Sequence, residues 1–331
     1  MQSFRALVTE ISPEGQASTA LQTLPLTFLP ESDVLIKVEY SSLNYKDALS
    51  ASGHKGITRN FPHIPGIDAA GVVVSDLSGK FPTGTRVLVT GFDMGMNSHG
   101  GLSEYIRVPA NWVIEIPENL PSRIAMQWGT AGLTAAMAVD ALISNQLSPE
   151  KGEVLVTGAS GGVGMISIRL LSHLGFSVVA LSGKPALEET LIGLGASRVI
   201  SRQKFAEEPV KALYPMEYAG AIDTLGGDYL VQVVKRLKFG GSVAVCGMAA
   251  GVELPMQVYP FILRGTRMLG IYSAESPLSY KQVLWDKIAE IWSVDLESLT
   301  HEINLEEVPS VLEKMLAGNS SGRYLVKIYQ I

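Results

Sequence analysis

One cysteine, Cys246, is all the thiol chemistry that the 331 residues offer. A lone thiol excludes an internal disulfide and a thiolate zinc cluster built from one chain. Long apolar runs are missing as well. The longest uncharged stretch, 124–139, holds Gln127, Thr130, Thr134 and two glycines, and is too short and polar to cross a bilayer. The first residues, MQSFRALVTEIS, lack the basic segment and apolar core of a secretory signal. No block of lysine or arginine interrupts a net charge of -6, so no electrostatic footprint for nucleic acid is present. These absences lead us to expect a cytoplasmic protein with a small-molecule partner and neither a membrane nor a nucleic-acid one.

The length suits two domains, since single cores stop growing at roughly 250–300 residues. Up to about residue 124, short β-rich runs (DVLIKVEYSSLN, GIDAAGVVVSDL, TRVLVTGF, WVIEIPENL) alternate with glycine, proline and aspartate, as in a partly closed antiparallel barrel. The rhythm then changes. A helix candidate, SRIAMQWGTAGLTAAMAVDALIS, precedes EVLVTG, MISIRLLSHLG, SVVALSG, LEETLIGLGA, SRVIS, GAIDTLG and GSVAVCG, the alternation of βαβ units around a parallel sheet. After Tyr272 the chain returns to helices and ends on GRYLVKIYQI, a strand expected to rejoin the first domain. The expected division is 1–124 with 276–331, and 125–275.

In VLVTGASGGVG an apolar strand gives way to glycines and then to a helix expected from about Val163. Such a turn lets backbone amides approach a pyrophosphate at a helix N-terminus. The fingerprint falls on Ala159, Gly161 and Gly164, with Ser160, Gly162 and Val163 between them; alanine replaces the first glycine. An acid is also absent. About 20 residues on, where a carboxylate would accept from the adenosine ribose, stand Ser182, Gly183 and Lys184, and no acid follows before Glu188. A hydroxyl, an amide and an ammonium suit the 2'-phosphate of NADP, which a carboxylate would repel. Arg202, past the third strand, is expected in the same pocket. Gly247, at the end of the fifth strand, is expected where the chain passes close to the cofactor.

The stretches VLIKVEYSSLNYKDALSASG, RNFPHIPGIDAAGVV, GGLSEYIRVPANW, WGTAGLTAA, VLVTGASGGVG and YPFILRGTRMLGIYS together resemble the medium-chain dehydrogenase/reductase superfamily, in its zinc-free quinone-oxidoreductase-like branch. NYKD, RNFPHIPGID and PFILRG resemble the subgroup of acryloyl-CoA reductases and related quinone oxidoreductases. The resemblance covers nearly the whole chain. It implies an α/β protein: a GroES-like β-barrel catalytic domain and a Rossmann domain with a doubly wound parallel sheet that binds NADP. Zinc alcohol dehydrogenases carry cysteine where this chain has SLNYKD, and Gly-His-Glu where it has Gly66, Ile67 and Asp68. Neither ligand is present, so no metal is expected, and His63 and His99 read as surface or turn residues.

The same resemblance implies that Asn44 contacts the nicotinamide or its ribose. Tyr45 would line the pocket as a candidate proton donor, although an unperturbed phenol, pKa about 10, is a poor one near neutrality. Thr130 would bond near the carboxamide, and Arg323 would reach the cofactor phosphates. Asp47 reads as a helix cap. Arg59 could meet an anionic substrate group such as a CoA phosphate. Residues 266–273 are expected to form an edge strand that pairs with its symmetry mate in a homodimer. Without a Lewis acid, hydride transfer suits an acceptor that is already activated: an acryloyl-CoA-like enoyl thioester first, a quinone as the close alternative. A NADPH-binding structural or sensing protein without catalysis is the reading from another class.

Overall fold

The computed structural model describes residues 3–328. It divides into two units, the first comprising the chain up to Thr130, Ser273–Ala289 and the residues from Leu296 onwards, the second Ala131–Tyr272 with Glu290–Asp295.

The first unit is built on the strand Val34–Ser42, which pairs antiparallel with Asp68–Asp76, with Tyr105–Val108 and with Arg323–Lys327. The C-terminal run thus returns to the first sheet, and its other neighbour, Thr300–Asn304, lies parallel to it. Val34, Ile36 and Val38 alternate inward to meet Ala69, Val87, Ile106 and Val326, the period-two pattern of a sheet with one buried face. Val308, Val311 and Leu312, on the helix Val308–Leu316, close the same core. A lysine is buried in this unit: Lys281 Nζ donates to Thr90 O (2.7 Å) and Ala274 O (2.8 Å) and lies 3.8 Å from the Phe92 ring centroid. Burial pulls its ammonium down to about 8. The ammonium pins the point where the chain re-enters the unit.

The second unit holds six parallel strands: Val154–Thr157, Val178–Ser182, Ala196–Ser201, Tyr218–Asp223, Leu237–Val245 and Arg267–Gly270. Their order in the sheet is 3-2-1-4-5-6, the doubly wound order in which ligands bind where the sequence of strands reverses. Val154–Val156 and Val178–Leu181 are fully buried, as the near-continuous apolar text of a sheet covered on both faces requires.

The sequence pattern for 122–144 predicts one helix, and the structure breaks it. Gly129 adopts φ 50°, ψ -156° inside Ser122–Ser144. A Cβ there would press on Ser42 Oγ, on Asp68 Oδ2 (2.6 Å) and on Arg323 Nη2 (2.8 Å), so only glycine fits. Residues 125–130, which the helical pattern grouped with the second unit, belong to the first because their polar groups bond there. Gln127 O accepts from Arg323, and Thr130 bonds to Asp68.

Candidate active site

In the first unit the polar side chains converge on one carboxylate. Asp68, fully buried, accepts at Oδ2 from Ser42 Oγ (2.7 Å), Asn44 Nδ2 (2.7 Å) and Thr130 N (2.9 Å), and at Oδ1 from Thr130 Oγ1 (2.5 Å). Three separate pieces of chain are tied at that point. Opposite stands Arg323, 2% exposed. It donates through Nη1 to Leu43 O (3.0 Å) and Asn44 Oδ1 (3.4 Å), and through Nε to Gln127 O (3.1 Å). Burial works against its charge, while Asp68 and Asp47 sustain it. The Asn44 amide is therefore gripped at both ends, its oxygen by a cation and its nitrogen by an anion, and cannot flip.

Asn44 caps the helix Tyr45–Ala51, and Asp47 supplies the carboxylate of a capping box by accepting from Asn44 N (2.7 Å). Its other oxygen accepts from Ile67 N (2.9 Å). The helix-cap reading of Asp47 is thus what the geometry contains. Burial, and next the charge of Asp68, push its carboxyl up to about 7. Tyr45, the first residue of that helix, is 56% exposed. The pieces are a rigid amide, a solvent-facing phenol beside it, and a threonine hydroxyl whose proton is committed to Asp68.

In the second unit the strand Val154–Thr157 runs into the glycine turn and the helix Gly162–His173, capped by Gly161. The positive φ the turn needs, 56°, is at Gly158. Ala159 then needs no special conformation. Its methyl is fully buried and its N–H bonds to Leu181 O (3.1 Å). A Cβ on Gly164 would lie 2.5 Å from Gly158 O, the close helix-to-strand approach that the third fingerprint glycine serves. Gly247 passes Thr224 so closely that a Cβ would meet its carbonyl carbon at 2.8 Å. At the reversal between the first and fourth strands, Thr157 Oγ1 donates to Asp223 Oδ1 (2.7 Å) and Thr224 Oγ1 donates to Thr157 O (3.0 Å). Asp223 and Thr224 stand in no motif, and Thr157 precedes the glycine turn without a signal of these contacts.

Beside the second strand lies a cavity of about 440 Å³ lined by Ser182, Gly183, Ser201, Arg202, Gln203 and Tyr229 among others. A Cβ on Gly183 would lie 2.9 Å from Arg202 Cζ, so the guanidinium packs over that glycine. Burial and then the neighbouring charge of Arg202 pull the Lys184 ammonium below its usual value. Lys184 N donates to Ser182 Oγ (3.1 Å). The acid in the lining, Glu207, accepts from Gln203 (2.9 Å). Arg202 lines this cavity and Lys184 follows Gly183 in the chain, so two cations adjoin the hollow, a setting suited to an anion, and the turn leaves backbone room for a pyrophosphate. The residues present fit a phosphorylated dinucleotide.

Residues 30–118 match the family described as alcohol dehydrogenase GroES-like domain, and residues 162–290 the family described as zinc-binding dehydrogenase. YhfP of Bacillus subtilis (strain 168), a quinone oxidoreductase by name, is 43% identical over 98% of this chain and 99% of its own. AcuI of Escherichia coli (strain K12), an acrylyl-CoA reductase by name, is 43% identical over 98% of this chain and all of its own. The chain belongs to the medium-chain dehydrogenase/reductase superfamily. Within it the similarity lies in the quinone-oxidoreductase-like branch. The crystal structure of the YhdH oxidoreductase of Salmonella enterica in complex with NADP covers 98% of this chain and 100% of that one, at 41% identity and TM-score 0.94. That of YhfP with NAD bound covers 99% and 100%, at 42% and 0.96.

Two nitrogens of Arg323 bond to the carbonyls of Leu43 and Gln127 and to Asn44, and Nη2 has no partner among the described residues. One expectation about this superfamily member changes. His63 is not a surface residue. It is 1% exposed, at 5.7 Å from the ring of His99, which in turn stacks on Phe28. Burial pulls both imidazoles down, His99 to about 4, so they pack as neutral rings. Arg59 is exposed and forms no hydrogen bond or ion pair among the described residues. Among those residues, no group of three or more His, Cys, Asp or Glu is placed to hold a metal, and no helix is long and apolar enough to cross a membrane.

Proposed function

We propose that the chain is a zinc-independent, NADPH-dependent reductase of conjugated double bonds, with acryloyl-CoA-like thioesters as its substrates. The cation pair Lys184 and Arg202, beside a second strand that ends without an acid, is the observation that carries the cofactor choice. The relatives support the reaction class: one bears the name of an acrylyl-CoA reductase, and YhdH was crystallised with NADP.

Bound NADPH would supply a hydride from the nicotinamide C4. Gly158, Ser160, Gly161, Gly162 and Val163 would lend backbone amides to its pyrophosphate, with Ala159 and Gly164 shaping the turn. Ser182, Gly183, Lys184 and Arg202 would take the 2'-phosphate, and Gly247 would let the chain pass the ring. Asn44, held by Asp68 and Arg323, would present one fixed orientation to the nicotinamide ribose. Thr130, its proton given to Asp68, would accept from a carboxamide N–H. Tyr45, open to solvent, would draw a replacement proton from water after giving its own to the α-carbon. Arg59 would meet an anionic group of the substrate. Ile67 offers no metal ligand where a histidine would be needed, and Asp68 is engaged by four hydrogen bonds, which supports the zinc-independent reading.

A second reading, quinone reduction, is favoured by the name of YhfP. NADPH oxidation measured with acryloyl-CoA, an enone and 1,4-benzoquinone separates the two. We expect acryloyl-CoA to have the highest kcat/KM, and absence of turnover with any enoyl thioester refutes the first reading. No turnover with the whole panel, with NADPH still bound, favours a sensing role. We also assign the protein to the cytoplasm and to a homodimer through residues 266–273. Arg267–Gly270 ends the second sheet, and exposed Ile262, Leu263 and Tyr272 (70%, 59% and 61%) flank it. Sedimentation of Leu269→Pro as a monomer would support that interface.

A further inference from the structure

The far end of the second unit's sheet carries a cavity that the cofactor reading leaves without a role. It has a volume of about 470 Å³ and is walled by the residues that lead into the first, fifth and sixth strands, among them Lys151, Lys238 and Arg267. The glycine turn and Ser182 lie at the opposite, C-terminal ends of the strands. An irregularity in the sheet shapes the wall. Tyr218 pairs with Leu237, but Gly220 pairs with Ser242, so Ala219 alone faces the four residues from Lys238 to Gly241. Bulges of this kind re-aim side chains next to functional sites. This one throws Phe239 outward, 79% exposed, at the rim of the cavity.

Three cations line the hollow and no acid does. Two of them are held in place by backbone carbonyls. Lys238 Nζ donates to Lys151 O (3.0 Å), and Arg267 Nη1 donates to Gly240 O (3.0 Å) of the neighbouring strand. Each keeps further N–H groups for a ligand. Gly152 beside them has φ 124°, a conformation that favours glycine, and the Lys238 ammonium lies close over it. Like charges that are pre-set around one hollow and an exposed ring at its rim have a common explanation in a ligand that is both anionic and flat.

We propose that this cavity binds a phosphate monoester carried on a flat ring, a ligand of the mononucleotide type, at a site separate from the cofactor turn. The Arg267 fork and the two ammonium groups receive the phosphate. Phe239 stacks on the ring, and Asn145 meets its polar edge.

The test titrates adenosine 5'-monophosphate calorimetrically into enzyme saturated with NADPH, so that the cofactor turn is filled. One saturable site per chain is expected, weakened by added salt. Arg267→Ala and Lys238→Ala each weaken it by about tenfold or more, as the loss of a charge-assisted phosphate contact does. Phe239→Ala weakens AMP more than it weakens inorganic phosphate, titrated separately. Lys184→Ala leaves the site intact, and Lys238→Ala leaves NADPH turnover without AMP unchanged. Absence of binding to the NADPH-saturated enzyme overturns the proposal. Binding that survives Arg267→Ala and Lys238→Ala overturns it too. Loss of binding in Lys184→Ala instead would place the nucleotide in the cofactor pocket, which overturns the separate site while leaving the cofactor reading standing.

Discussion

Replacing Arg202 by alanine separates a cation that holds phosphate from one that merely decorates the surface. A charge-assisted hydrogen bond contributes about 1.5–3 kcal/mol. Arg202 is exposed and Lys184 half-buried, so solvent screening reduces each to about 1–2 kcal/mol, or roughly 5- to 30-fold in Kd. NADPH affinity should fall by that factor and NADH affinity by less than about threefold, since NADH has no 2'-phosphate to lose. The structure adds a second readout. Arg202 is one of the two causes that depress the Lys184 ammonium, so Arg202→Ala removes a repulsion and returns Lys184 toward its ordinary value. The variant without cofactor should therefore be no less stable than the parent while binding NADPH more weakly. Fluorescence titration with both dinucleotides, and thermal unfolding without either, measure the two quantities. Equal losses for NADPH and NADH would refute the assignment of this pocket to the phosphate, as would a marked loss of stability in the cofactor-free variant.

Asp68→Asn places an amide N–H among donors from Ser42, Asn44 and Thr130 and leaves Arg323 with one counter-charge fewer; breaking such a buried arrangement costs about 3–5 kcal/mol, readable as a lowered midpoint in urea unfolding. Gly129→Ala should cost about 2–5 kcal/mol from backbone strain and the clash with Ser42 and Asp68 together, and a variant as stable as the parent would contradict the described break. Asp47 titrates near 7 in the folded chain against an ordinary 3.8. Its folded pKa is raised, so the folded state holds the extra proton and stability falls as pH rises between those values. Asp47→Asn should flatten the pH dependence of unfolding free energy within that window, and an unchanged slope would argue against the buried carboxyl as its source.

The parallel sheet was legible because its strands are continuous apolar runs punctuated by glycine, and the proposal for the cofactor pocket starts from an expected acid that is missing where two cations stand. Ala159 could be accepted in the fingerprint from sequence because Gly158 precedes it, and the turn indeed bends there. The break at Gly129 was not legible: its neighbours are good helix formers, and the reason for the break is three buried polar groups brought from residues 42, 68 and 323. Asp68 likewise gives no local signal, since its role consists of partners distant in sequence. Lys281 reads as one more polar position on a helix, and its burial depends on two carbonyls, one of them 191 residues away. His63 misled for the same reason, since an imidazole surrounded by prolines looks like a turn residue until the ring beneath it is known.

The return of the C-terminal strand to the first sheet dictates an order of assembly. Leu325 pairs with Ser42, so the first unit cannot complete its sheet until almost the whole polypeptide has been made. The second unit, nearly continuous in sequence, has all six strands by Gly270. During synthesis, domains fold as units once their segments have emerged. The second unit therefore has the opportunity to fold first, while residues 42–68 wait with two buried-to-be carboxylates and without Arg323. Arg323 arrives last and supplies a positive charge beside them. A ribosome-bound chain halted before that residue should hold a protease-resistant second unit and a cleavable first one, which makes the closing strand, rather than any nucleus in the barrel, the step that commits the catalytic half to its fold.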